Sequence, residues 1–128
     1  MNLLLDTCTF VWLVSDPDRL SQTVVETIDD ARNDLALSDV SVWEICLKWQ
    51  VGKIGLPVPP RPWIEQQVET WRLDRVEIQR AHLYRVSELP RHHQDPFDRL
   101  LVAQSIEGGL TLVTPDRAIR QYPAAVLW

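Results

Sequence analysis

Four carboxylates stand where a folded chain commonly places chemistry. Asp6 directly follows the apolar run Asn2–Leu5, and Asp116 follows Leu110–Val113. Glu44 and Asp98 fall in the first turns of segments with helical spacing. In an open parallel sheet, ligands bind beyond the C-terminal strand ends, where loops and helix N-termini converge. If the four acids meet there, like charges ~5 Å apart at an effective dielectric of ~20 repel by about 3 kcal/mol per pair. A cation removes that cost. Oxygen-only ligands select hard ions, Mg²⁺ or Mn²⁺, which also coordinate phosphate oxygens. The chemistry this pattern points to is metal-assisted phosphodiester hydrolysis, with no covalent protein nucleophile.

Each acid also has a purely structural explanation. Asp95, Pro96 and Asp98 fit the N-cap, N1 and N3 positions of a helix, and the cap explains Asp95 better than chemistry does. Glu44 stands four residues before Lys48, a helical ion-pair spacing worth roughly 0.2–0.5 kcal/mol. Asp116, behind Thr114-Pro115, suits a helix dipole, and Asp6 suits an N-cap.

The elements that must position these acids are legible in outline. Asn2–Leu5 reads as a buried strand, with a turn at Asp6–Thr9 and a helix starting in Phe10–Val14. Ser15–Asp18 is a loop, Ser21–Arg32 has Val24, Val25 and Ile28 at helical spacing, and Leu35–Ser38 is a second strand. From Ser41, the spacing of Val42, Ile45, Cys46 and Trp49 predicts an amphipathic helix ended by Gly52 and Gly55. Leu56–Pro62, with four prolines, reads as an extended connector. Helices are expected over Pro62–Trp71 and Gln79–Val86, with a strand near Val76. Asp95-Pro96 opens a helix over Phe97–Glu107 that Gly108-Gly109 stops. Leu110–Val113 is a strand, Thr114-Pro115 caps a further short helix, and Ala124–Trp128 adds an edge strand. Alternating strands and helices imply a three-layer α/β/α sandwich with a mainly parallel sheet.

Composition narrows the function classes. With 128 residues, 45% hydrophobic and 24% charged, the chain fits a single globular domain over 1–128 and excludes disordered or repetitive classes. No apolar run reaches the ~18 residues of a membrane span, and Met1–Asp6 lacks the basic start of a signal peptide, so a cytoplasmic protein is expected. Two cysteines, Cys8 and Cys46, outside any CxxC spacing, suggest neither a disulfide framework nor a zinc site. A formal charge of −5 argues against gripping nucleic acid by bulk charge. Removing the four proposed ligands from −5 leaves only −1 for the rest of the chain.

The order of four segments is the most specific feature of the sequence. Leu3-Leu4-Leu5-Asp6-Thr7, Ser41-Val42-Trp43-Glu44-Ile45, His93-Gln94-Asp95-Pro96-Phe97-Asp98-Arg99-Leu100-Leu101-Val102-Ala103-Gln104 and Leu112-Val113-Thr114-Pro115-Asp116 resemble the successive motifs of a PIN domain. More narrowly, the chain resembles the VapC-type ribonuclease toxins of bacterial type II toxin–antitoxin systems, in the branch with Asp-Pro-Phe-Asp-Arg. That resemblance implies a Mg²⁺- or Mn²⁺-dependent RNase, commonly a homodimer silenced by a small cognate antitoxin. By position, Asp6, Glu44, Asp98 and Asp116 match the family's acidic quartet, and Asp95 is a neighbouring motif residue. Relatives often carry Asn or His where this chain has Cys8.

Further side chains fall near the acids. Lys48, Lys53, Arg91, Arg99, Arg117 and Arg120 are candidates to meet phosphate, or are simply solvated. Thr7 and Thr114 are expected to orient ligands, or else to cap helices. His93 is expected to order its loop and His92 to lie on the surface; no third ligand completes a zinc site. Cys8 and Cys46 read as buried packing residues, since no suitably spaced His supports a Cys–His nucleophile. Most of the six tryptophans should be core, with Trp63 and Trp71 a candidate antitoxin groove. The competing functions are a DNA-directed or flap-type nuclease on the same fold and a non-catalytic RNA-binding or scaffolding module.

Overall fold

A computed structural model describes residues 1–128. The chain runs β1 (Asn2–Leu5), α1 (Thr7–Ser15), a 3-10 turn (Pro17–Arg19), α2 (Gln22–Asp29), β2 (Asp34–Ser38) and α3 (Asp39–Gln50). It continues with α4 (Pro60–Trp71), β3 (Asp74–Val76), α5 (Arg80–Glu88), α6 (Pro96–Gly108), β4 (Thr111–Val113), a 3-10 turn (Ile119–Gln121) and β5 (Val126–Leu127). The five strands form one sheet in the order β3-β2-β1-β4-β5, and every pairing is parallel. No helix is long and apolar enough to cross a membrane.

Why β1 is apolar at three consecutive positions follows from the layers. Successive side chains point to opposite faces of a strand, and here helices cover both. Leu3 and Leu5 join Phe10, Ile45 and Trp63 on one face. Leu4 packs with Leu101, Val102 and Leu112 on the other. The register pairs Leu5 with Leu37 of β2 and with Val113 of β4, so Asp6 emerges one step beyond, between Ser38 and Thr114.

Local capping sets the helix starts and revises several expected boundaries. Helix α1 begins at Thr7, without an intervening turn, because the Asp6 carboxylate accepts from Thr9 N at 2.7 Å. Ser21 and Ser38 cap α2 and α3 in the same way. Helix α4 starts at Pro60, so the Pro-rich connector is shorter than Leu56–Pro62; proline suits a first helical turn, whose N–H groups need no intrahelical partner. Gly109 closes α6 in the left-handed conformation, at φ 62°.

Four expectations are corrected. The short helix after Thr114-Pro115 is only a turn and the 3-10 segment Ile119–Gln121, since Pro123 leaves no room for helical propagation. Of the six tryptophans only Trp63 is buried, whereas Trp43 and Trp49 on α3 are exposed. Trp63 packs edge-on against Phe10 at 5.6 Å inside the core, so Trp63 and Trp71 do not form an open groove. Cys46 is exposed and Cys8 half-buried, so neither is a fully buried packing residue.

Candidate metal centre

The C-terminal ends of β1 and β4 and the N-terminal turns of α3 and α6 surround a cavity of about 250 Å³. Asp6, Thr7, Cys8, Glu44, Asp95, Asp98, Pro115 and Asp116 line it. Residues spread over more than a hundred sequence positions thus meet at one edge of the sheet. A larger depression, of about 470 Å³, opens around Met1, Glu26 and Asp30, but Asp30 is neutralised there by Arg32.

Asp6 is the deepest of the acids, 3% exposed at the end of β1. Burial pushes its carboxyl up from the ordinary range, and Glu44 adds to the rise; Thr114 and Thr9 oppose it by bonding to the charged form. Glu44 is equally enclosed, at 4% exposure. Its Oε1 accepts from the Thr7 hydroxyl at 2.6 Å, and its Oε2 is ion-paired with Lys48 one turn on. Thr7 is itself flanked by Ser41 Oγ at 2.9 Å. The helical pair read from the spacing of Glu44 and Lys48 therefore forms, and Thr7 orients a carboxylate rather than capping a helix.

Asp98 occupies the third position of α6 with its side chain 21% exposed. Its carboxyl is pushed up to about 7, first by burial and then by the charges of Asp95 and Asp6, with His93 pulling the other way. Asp95 is the N-cap, its Oδ1 accepting from Phe97 N at 2.8 Å and Asp98 N at 3.2 Å. Asp116 is held similarly: its N–H donates to Thr114 Oγ1 at 3.1 Å, and its Oδ1 accepts from Ala118 N at 2.9 Å.

His93 joins the two outer acids, a contact the sequence reading reduced to loop ordering. Its Nδ1 accepts from Asp95 N at 2.9 Å, so the ring proton must sit on Nε2. Nε2 in turn lies 2.8 Å from Asp116 Oδ2 and 3.2 Å from Asp98 Oδ2. In this tautomer the ring donates to Asp116, with Asp98 Oδ2 close beside the same nitrogen, and is not itself a metal ligand. The only hint in the sequence was its place two residues before Asp95.

Other expected participants lie elsewhere. Arg99, a candidate for phosphate, is instead tied to the carbonyls of Pro90 at 2.8 Å and Val86 at 2.9 Å and to Tyr122 Oη at 3.0 Å. The five N–H donors of a planar guanidinium suit such bracing. Lys53, Arg91, Arg117 and Arg120 are exposed, form no ion pair and do not line the cavity. His92 lies exposed on the surface as expected, its ring edge-on against Tyr122 at 5.2 Å. The Cys8 thiol is pushed up to about 12, chiefly by burial and next by Asp6, which removes it as a thiolate nucleophile.

The donor set fits a hard divalent cation. The cavity wall offers carboxylate oxygens, no thiolate, and no histidine nitrogen with a free lone pair. Asp6 and Asp98 are both destabilised as anions by burial and by neighbouring acids. Positive charge is what that arrangement lacks.

The PIN domain family model matches residues 3–125. The chain belongs to the PIN domain family. This PIN domain is 33% identical over 122 residues to Ribonuclease VapC22 of Mycobacterium tuberculosis, covering 94% of the chain and 92% of that protein. Its fold matches VapBC2 from Rickettsia felis bound to a promoter DNA fragment, with TM-score 0.71, 18% identity and coverage of 100% and 99%. It also matches DNA-bound VapBC from Salmonella typhimurium, with TM-score 0.72, 16% identity and coverage of 99% and 97%. FitAcB from Neisseria gonorrhoeae is similar at TM-score 0.61 and 20% identity, with coverage of 98% and 96%.

Proposed function

We propose that this PIN domain is a Mg²⁺- or Mn²⁺-dependent endoribonuclease, the toxin of a toxin–antitoxin pair acting in the cytoplasm. The observation that carries the proposal is the convergence of Asp6, Glu44, Asp98 and Asp116 on one cavity at the C-terminal edge of a parallel sheet. The similarity to a VapC ribonuclease directs the choice of RNA over DNA. When bound, the ion supplies Lewis acidity for hydrolysis of a phosphodiester.

The chain's own residues hold the geometry. Asp6, Glu44, Asp98 and Asp116 would bind the cation. Thr7 fixes the rotamer of Glu44, and Thr114 fixes the turn that presents Asp116. Asp95 sets the first turn of α6 so that Asp98 faces inward, while its charge discourages Asp98 from ionising without a cation. His93 holds Asp98 and Asp116 at one spacing. The partners proposed with this activity are RNA as substrate, a small cognate antitoxin, and a second copy of the chain. Trp43, Leu47 and Val51, exposed at successive i, i+4 positions of α3 and its end, supply apolar surface for such association.

The test is a cleavage assay on RNA and single-stranded DNA in parallel, with EDTA, Mg²⁺ or Mn²⁺. Cleavage of RNA that requires the metal and disappears in Asp6→Asn supports the reading. Metal-independent cleavage, or activity that survives Asp6→Asn, refutes it, and preferential cleavage of DNA favours the alternative nuclease.

A further inference from the structure

Glu44 is a buried carboxylate with no unpartnered oxygen. Thr7 donates to Oε1, and the Lys48 ammonium contacts Oε2. A buried charge of this kind is tolerable only when paired, so Lys48 already does for Glu44 what a cation would do. Each oxygen keeps a further lone pair, but a divalent cation that takes Glu44 as a ligand sits against these partners and competes with the Lys48 ammonium for the same negative charge.

The two differ in freedom to move. Thr7 is 8% exposed, on the first turn of α1, and is backed by Ser41. The Lys48 side chain is 45% exposed on a flexible four-carbon stem. Lys48 is the partner able to leave. Once off Glu44, its ammonium stays beside the cavity, where the charges of Asp95 and Asp98 also act on it. Arg99 is not available for the same task, being braced against two backbone carbonyls and Tyr122. A phosphate group is the anion that arrives at this place with the metal.

Resting on the reading that the cavity binds a divalent cation, we propose that Lys48 is an internal counter-ion: it neutralises Glu44 in the metal-free protein, yields that carboxylate to the metal, and transfers to a substrate phosphate. One positive charge is exchanged for two at the acids, and the displaced one is reused on RNA. Lys48 is then a competitor of the metal and a helper of the substrate, two effects of opposite sign.

That opposition makes the idea testable with Mn²⁺ alone. Calorimetric titration of Mn²⁺ into the full chain should show Lys48→Gln binding about three- to tenfold tighter than wild type, because one competing charge is gone. Lys48→Arg keeps the charge and should restore affinity to within about twofold of wild type. At saturating Mn²⁺, RNA cleavage by Lys48→Gln should fall about tenfold in kcat/KM, mainly through KM, because a phosphate-binding cation is lost. A merely structural lysine would instead weaken metal binding and cleavage together. Unchanged or weaker Mn²⁺ binding in Lys48→Gln overturns the exchange, and unchanged cleavage overturns the transfer to phosphate. If wild type takes up no Mn²⁺, the metal reading itself fails and this inference with it. If wild type binds Mn²⁺ and Lys48→Gln matches it, only the inference fails.

Discussion

Replacing Asp98 by Asn removes one negative charge from a pocket that holds Asp6, Glu44 and Asp95 while keeping side-chain volume and an oxygen acceptor for His93. The carboxyl moves from 3.8 in the unfolded chain to about 7 in the fold. A raised native value means that the folded state binds the proton more tightly than the unfolded state. Stability contributed by Asp98 is therefore full below about 4 and declines as pH rises to about 7; above that the loss is complete. At 1.36 kcal/mol per pH unit the full displacement corresponds to about 4 kcal/mol, and relaxation and water entry should leave on the order of 1–3 kcal/mol in a measured difference. Urea unfolding of wild type and Asp98→Asn in EDTA, from pH 4 to pH 8, isolates the term as the difference between the two curves. The variant should match wild type near pH 4 and exceed it by at least about 1 kcal/mol at pH 8. Added Mn²⁺ at pH 8 should reverse the order, since a ligand that binds only the folded wild type stabilises it. A difference independent of pH, or a less stable variant at pH 8 without metal, refutes the claim that these acids repel one another in the metal-free fold.

Other expectations concern the supporting residues. Thr7→Val leaves Glu44 Oε1 without its donor; urea unfolding should show a loss of about 1–3 kcal/mol, and Mn²⁺ affinity should change with it. Arg99→Met removes the brace between α6, the carbonyls of Val86 and Pro90, and Tyr122. It should cost about 2 kcal/mol of stability, yet leave KM for RNA unchanged, as measured by cleavage kinetics at a temperature where the variant is folded. Gly109→Ala places a side chain at φ 62° with no steric neighbour, so thermal unfolding should report only the conformational cost, about 1 kcal/mol.

Elements written in local spacing were legible, and those decided by packing were not. The triple leucine of β1, the glycine stop of α6 and the Glu44–Lys48 pair depend on neighbours within a few residues. Thr114-Pro115-Asp116 carries the same local marks as a helix start, yet Pro123 truncates it to a 3-10 turn. Trp63 and Trp43 are the same residue type on amphipathic helices, one buried against Phe10 and the other left outside against Phe97. Only the direction in which each helix faces the sheet separates them.

The sequence by itself determined the strand–helix alternation, hence the parallel sheet, and the order in which acids follow the strands and open the helices. Tertiary structure alone decided which groups neutralise which: His93 spans Asp98 and Asp116, Arg99 turns to backbone carbonyls, and Asp98 rises to about 7. Spacing along a chain specifies periodic contacts a few residues apart. Charge interactions between residues a hundred positions apart depend on distances and burial that exist only once the sheet has brought its ends together.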